Sequence, residues 1–455
     1  LLNDDSISSF ARVFAKYPIQ RDTPVFLNYS RDLAIDTVRG DIEIASVKMS
    51  NEALFEVTAV FPVGTYEDPL LDLTLKYCDA AGTKHYPGPK FGWEFYKRGI
   101  EFETSAESHR TIFRVSGLAE DLESGLDLLR LAITDVAIDT NVLSMCVQSE
   151  QQSRNLNETN PGQIRRWLRR RVLYGAESPI AHPPTHSDLD ENSAGLLAEK
   201  IHRNFEQKHT LLYCGNDSQK FRKLATEFYR NRRGGIAADG SGPAEFLPTR
   251  RRVLLANTDG NSVEVLALVR GNKFDRATMA ASNMFNRFFE KICFKEIRES
   301  NSLAYETWGS HDMSSDTGGW NITQLFGATQ PDKLVPLMGV MTKLLGDISK
   351  FESVFEESKA DQLNRYRSER FLDSDIYWTA ATFRKQGISH DFRADMYETI
   401  CTMTFDDIKR FFNGNIAGRD ITFIVIGPLA ALDSTSVAQF GASEVVDLHE
   451  LFDHR

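Results

Sequence analysis

The sequence has no run of 18 or more apolar residues, so no segment is long enough to cross a bilayer as a helix. Cysteine is scarce: Cys78, Cys146, Cys214, Cys293 and Cys401 are odd in number, far apart and without a C-x-x-C pair. That spacing excludes a disulfide framework or a zinc knuckle, and the thiols read as small buried apolar side chains. A cationic surplus is also lacking. With 64 acidic against 53 basic residues the formal net charge is −11, which argues against a nucleic-acid partner, whose protein needs a basic face. The arginine runs that do occur, Arg165, Arg166, Arg169, Arg170 and Arg171, then Arg250, Arg251 and Arg252, read as solvated helix faces or strand edges. The opening LLNDDSISSF lacks the basic-then-apolar order of a secretory signal. Because it starts on Leu1 and not on Met, the chain reads as processed, and this lack leaves the compartment open.

Motifs that would carry chemistry unaided are missing as well. There is no G-x-S-x-G elbow, no G-x-x-x-x-G-K-S/T loop, and no G-x-G-x-x-G after a strand. None of the ten histidines forms H-x-x-E-H, the pattern that sets two imidazoles one helical turn apart beside a general base. His182 and His186 are separated by two prolines, which read as a turn. His202 and Glu206 stand at i, i+4 without a third ligand and read as a surface pair, and His449 and His454 lie in a solvated acidic end.

What is present is an ordinary globular composition, 41% hydrophobic and 26% charged, in 455 residues, more than one core usually supports. The clearest break in composition runs from Asn231 to Arg252, where glycine, proline, serine and charge replace any apolar period. It divides the chain into a first unit, 1–235, a linker, 236–252, and a second unit, 253–455. Both units follow one order of elements. A strand (Leu54 to Phe61; Ser262 to Gly271) precedes a helix (Pro69 to Ala81; Arg276 to Glu299). In the first unit a further helix, Lys90 to Arg98, comes before two strands, Ile100 to Glu107 and Arg110 to Leu118. In the second the strands are Ala304 to Ser310 and Trp320 to Thr329. Helices follow at Asp121 to Val136 and Asp332 to Ile348, then long polar helices at Asn141 to Asn155 and Phe351 to Phe371. Each unit closes on a short apolar strand, His209 to Gly215 and Ile421 to Gly427. The pattern predicts an α+β chain of two duplicated units, each an antiparallel sheet with helices packed on one face.

One segment stands out, FKEIRESNSLAYETWG, Phe294 to Gly309, where a helix predicted to end near Arg298 turns into a strand from Ala304. Arg298 and Tyr305 then flank a corner, and both can donate hydrogen bonds to peptide carbonyls or to the oxyanion such a carbonyl becomes. The spacing alone also accommodates an arginine capping the helix end and a tyrosine half-buried on a strand.

The stretch R-E-S-N-S-L-A-Y resembles the Arg and Tyr motif of the pitrilysin-type (insulinase-like) zinc metallopeptidases. YCDAAGTKHYPGPKFGWEFYKRGIEFETSAESHRTIFRVSGL is similar to the segment that follows their zinc helix, and RNLNETNPGQIRRWLRRRVLYGAESP to a later one, so the likeness spans nearly the whole chain. It implies the LuxS/mitochondrial-processing-peptidase-like metallohydrolase fold, and gives Arg298 and Tyr305 the role of holding substrate backbone near the scissile bond. The departure lies in the zinc motif. Aligned on Gly82 and Thr83, its positions hold Leu73, Thr74, Leu75, Lys76 and Tyr77; leucine cannot ligate, and Lys76 would repel a metal. Glu150 is a remnant of the downstream acidic ligand. The resemblance therefore implies a second, non-catalytic half that binds no cofactor itself. Its expected partners are a zinc-bearing half, fused or separate, and a peptide substrate. A purely structural or binding subunit of the same fold is the alternative. Exported bacterial two-half peptidases point to the periplasm or cell envelope.

Overall fold

The computed structural model of the chain describes residues 8, 10, 13, 22–185, 187–188, 192–234 and 246–452. Its first sheet comprises β1 (Ala34–Val38), β2 (Ile42–Val47), β3 (Leu54–Phe61), β4 (Glu101–Ala106), β5 (Thr111–Leu118) and β6 (Thr210–Cys214). The second comprises β7 (Arg252–Asn257), β8 (Val263–Lys273), β9 (Glu306–Asp312), β10 (Trp320–Thr329), β11 (Thr422–Gly427) and β12 (Ala442–Val445). Strand orders are β1-β2-β6-β3-β5-β4 and β12-β7-β11-β8-β10-β9. With β1 and β12 set aside, the two orders match strand for strand. The expected duplication and the α+β class are both seen.

Two features differ from the expected sheets. First, they are mixed: β2 runs parallel to β6, and β11 and β12 run parallel to β7, while the other pairs are antiparallel. The closing strand of each unit does not add at the edge. β6 inserts between β2 and β3, and β11 between β7 and β8, which leaves them central and explains their unbroken apolar runs.

Second, helices cover both faces. In chain order these are α1 (Leu71–Ala81), α2 (Pro89–Tyr96), α3 (Leu122–Thr134), α4 (Thr140–Asn157), α5 (Pro161–Tyr174), α6 (Ala194–Glu206), α7 (Ser218–Phe228), α8 (Met279–Cys293), α9 (Leu334–Gly346), α10 (Glu352–Ser368), α11 (Ser374–Lys385), α12 (Arg393–Thr402) and α13 (Phe405–Asn415). Residues of α1, α3, α6 and α7 pack on one face of the first sheet, and those of α8, α9, α10 and α13 on one face of the second. The opposite faces are covered by exchange. Ile164, Leu168 and Val172 of α5 sit in a cluster with Leu254, Leu266 and Ile424 of the second sheet. Ile376 and Tyr377 of α11 sit with Ala45, Val47, Leu212 and Cys214 of the first. These helices hold matching places in the two units, each after the long polar helix, so the reciprocal packing follows from the duplication.

Of the predicted linker, 236–245 lies outside the described residues; 246–252 is seated, with Leu247 donating to the Leu173 carbonyl at 2.6 Å. The break from Asn231 begins too early. Arg232, with a side chain only 2% exposed, forks onto Asp41 at 2.8 Å twice and donates to the carbonyls of Phe205, Glu206 and Gln207. Among the cysteines Cys78, Cys214 and Cys293 are buried as expected, Cys146 is partly exposed and Cys401 is exposed.

Candidate functional site

The long helix predicted to run to Glu299 changes character before its end. The α-helical pattern stops at Cys293, and residues Phe294–Ser300 form a π-helix, a rare widened turn that is frequent at functional sites. Ile297, fully buried, pins this turn to the core of the second unit, while the adjacent Arg298 is exposed with its guanidinium 5.1 Å over the Phe294 ring. The chain then reverses at Ser302, whose φ of 50° is uncommon for any residue other than glycine. That corner is over-determined. Leu303 donates its amide to Ile297 at 2.9 Å, Lys333 donates to the Ser302 carbonyl at 3.0 Å, and Asn301 donates to the Glu296 carbonyl at 2.6 Å. Tyr305 donates its backbone amide to Ala328 at 3.0 Å, yet the residue is 67% exposed. β9, which follows, is the edge of its sheet. The tyrosine is thus not half-buried, and Arg298 bonds to no helix carbonyl among the described residues.

The positions that the sequence alignment sets against the zinc motif lie on α1 and are split between two environments. Leu73 and Tyr77 point into the core of the first unit, at 2% and 0% exposure. The Tyr77 hydroxyl donates to the Ala137 carbonyl at 2.8 Å and accepts from the Asp139 amide at 3.0 Å, which ties α1 to the start of α4. Thr74 is buried and donates back to Leu70. Lys76 lies on the open face, its ammonium 2.5 Å from Glu150 of α4. Glu150 is therefore not isolated: the Lys76 ammonium already meets it. At half-exposed surfaces such a pair adds under about 1 kcal/mol. Among the described residues no group of three or more His, Cys, Asp or Glu side chains converges as a metal requires. The Gly82-Thr83 pair on which these positions were aligned has its own physical reason. Gly82 ends α1 at φ 65°, where a Cβ would lie 2.6 Å from the Tyr86 carbonyl, and buried Thr83 accepts the Tyr86 amide.

Beside this helix, α1, α4 and α5 enclose a cavity of about 280 Å³ walled by Asp72, Lys76, Glu150, Arg154, Arg166 and Arg170. Burial pushes the Asp72 carboxyl up, against the pull of Arg166 and Lys76. His182 reaches the same wall and bonds the Ala176 carbonyl. His186 and His454 lie outside the described residues. His202 meets Glu206 at 3.9 Å, but Glu206 is no surface residue: its buried carboxylate accepts the amides of Arg233 and Gly234. The arginine run on α5 is only partly a solvated face, since Arg166 is exposed and Arg170 is buried. Arg252 opens β7, an interior strand.

No protein-family model and no curated protein sequence matches the chain. Its fold is that of solved M16 peptidase domains. The M16 peptidase inactive domain from Pseudomonas fluorescens superposes with a TM-score of 0.74 at 13% identity, over 87% of this chain and 98% of that one. The periplasmic protease PqqL from Escherichia coli matches at 0.71 and 15% identity, over 90% of this chain and 47% of its own. The ferredoxin protease FusC, in complex with Arabidopsis ferredoxin, matches at 0.68 and 12%, over 94% of this chain and 51% of its own. The chain thus spans about half the length of each of these two proteases. At such identities the likeness is one of fold.

Proposed function

We propose that the chain is the non-catalytic half of a clam-shell zinc metalloendopeptidase, closing a chamber with a zinc-bearing partner half and positioning the peptide that the partner cuts. The observation that carries this reading is the near end-to-end match to an M16 inactive domain, combined with Leu73, Lys76 and Tyr77 at the metal positions of α1. The two sheets support the division into a first unit, 1–235, and a second, 253–455, joined by 236–252.

Zinc, held by the partner, supplies the activated water. The peptide adds as a strand to a sheet edge of the partner, the usual way to hold an extended chain. This chain contributes Arg298 and Tyr305, presented from an over-determined corner with their polar ends open to solvent. A guanidinium and a phenol both donate to a peptide carbonyl, and donate more strongly to the oxyanion formed when water attacks it, so their contribution is larger in the transition state than in the bound substrate. The periplasmic setting of PqqL supports the periplasm or cell envelope as the place of action.

The test is a mixing assay with quenched peptides and added zinc. The isolated chain is expected to cleave nothing, and the chain mixed with the zinc-bearing half from the same source is expected to cleave. Absence of cleavage on mixing makes the chain a scaffold, and zinc-dependent cleavage by the chain alone refutes the non-catalytic assignment.

A further inference from the structure

Where the resemblance sets a metal, the molecule carries cations of its own. The cavity between α1, α4 and α5 is walled by four basic side chains, Lys76, Arg154, Arg166 and Arg170, against two carboxylates, Asp72 and Glu150. Glu150 is already engaged by Lys76 at 2.5 Å. Arg166 and Arg170 lie one turn apart on α5 and stack on Trp167 between them, at 5.4 and 4.7 Å, and Arg170 also lies 4.8 Å over Tyr66. Stacking fixes the plane of a guanidinium while leaving its in-plane N–H groups available for a fork-like contact with a planar anion. Neither Arg166 nor Arg170 forms an ion pair among the described residues. Arg170 is only 7% exposed; it is met by the Tyr66 hydroxyl and by the field of Asp72, without a carboxylate in direct ion-pair contact among the described residues, and a buried arginine gains from an anion that makes that contact. Leu70, Leu73, Ile180 and Pro184 complete the walls with apolar surface. At about 280 Å³ the space falls short of a drug-sized pocket of ~300–1,000 Å³, so it admits the end of a chain and not a whole peptide.

We propose that this cavity binds a peptide carboxylate, with Arg166 and Arg170 as the fork that receives it and the apolar wall taking the adjoining side chain. The α-carboxylate of a C-terminus and the side-chain carboxylate of Asp or Glu share this chemistry. The inference rests on the reading above for the ligand being a peptide, whereas the charge and shape of the cavity stand without it.

The experiment is isothermal titration calorimetry of the full chain at low salt. Three probes are used: N-acetyl-Ala-Leu with a free carboxylate, the same dipeptide as its amide, and N-acetyl-Glu-amide, which keeps only a side-chain carboxylate. The free acid is expected to bind about tenfold or more tightly than the amide, since the amide removes a charge-assisted contact. Arg166→Gln, a change at an exposed position that leaves the buried stack in place, is expected to weaken acid binding by a similar factor, and circular dichroism checks that it folds. Arg170→Gln should do the same if it folds. Glu-amide binding as tightly as the acid supports the site with a side chain as the source; weaker Glu-amide binding supports it with the C-terminus as the source. The proposal is overturned if acid and amide bind alike, if neither binds at millimolar concentration, or if Arg166→Gln leaves acid binding unchanged. A chain that binds the acid yet yields no cleavage on mixing keeps this site and loses the proteolytic reading, and the opposite pair of results does the reverse.

Discussion

The exchanged helices make a strong demand on stability. Leu168 of α5 is fully buried in a cluster with Leu254, Leu266 and Ile424, on the face of the second sheet that lies away from its own helices. Truncating it to alanine removes the transfer energy of the lost carbons and leaves a cavity, together about 2–5 kcal/mol. The upper part of that range is expected, because β11 is buried along its whole length and its neighbours have little room to collapse. Against a typical net stability of ~5–15 kcal/mol, such a loss is large. Urea unfolding followed by far-ultraviolet circular dichroism and by tryptophan emission would measure it, since Trp167 lies on α5 while Trp308 and Trp320 lie on the second sheet. With α5 walling the second unit and α11 walling the first, neither core is complete alone. The wild-type chain should therefore unfold in one transition, and Leu168→Ala should move both signals to the same lower midpoint. A loss under about 1 kcal/mol, or two transitions of which only one moves, would refute the argument that the units share their walls.

Other outcomes follow from buried polar groups. Arg232→Ala should cost about 3–5 kcal/mol in a thermal or urea melt, because it strands Asp41 and three carbonyls, and Arg232→Lys should recover only part for want of the planar fork. His209 is held neutral by burial, its pKa pushed down to about 4, with one ring nitrogen on the Gln207 carbonyl and the other on the Tyr229 hydroxyl. Because the unfolded imidazole titrates near ~6.5, this contribution is whole above that pH and is lost as the pH falls toward 4, up to about 3 kcal/mol; urea midpoints at pH 7 and 4.5 would show the drop, and a flat profile would contradict it. Tyr77→Phe should cost about 1–3 kcal/mol by leaving the Asp139 amide and Ala137 carbonyl without their partner, measured in the same melts.

Much of this fold is legible in the sequence, and the gaps have physical causes. Strands such as Leu54–Phe61 and Trp320–Thr329 show themselves because one face is dry and the residue pattern repeats along it. β1, β2, β7 and β12 do not stand out, being four to six residues long and set among charged neighbours. The apolar stripe of α5, Ile164, Leu168 and Val172, is hidden among five arginines, and the sheet it covers belongs to the other unit, so no local pattern points to it. Arg232 reads as linker because its partners, Asp41 and the end of α6, are distant in sequence. At the candidate site, the corner between Arg298 and Tyr305 is legible as a helix meeting a strand. The π-turn and the positive φ of Ser302 are not, since no residue type marks them. Lys76 and Glu150, 74 residues apart, are each noticed separately, and their pairing needs three dimensions.

The proposed function has this half act on the reaction through Arg298 and Tyr305. The direct measurement is turnover of a quenched peptide by the mixed enzyme carrying Arg298→Ala or Tyr305→Phe, with melting temperatures of the same variants. Loss of a positioned oxyanion donor commonly costs about 10²–10³ in kcat, and that loss is predicted here with KM little changed. The melting temperature should stay put, because both side chains are exposed. Turnover equal to the wild type in both variants would contradict the account and leave the chain a scaffold.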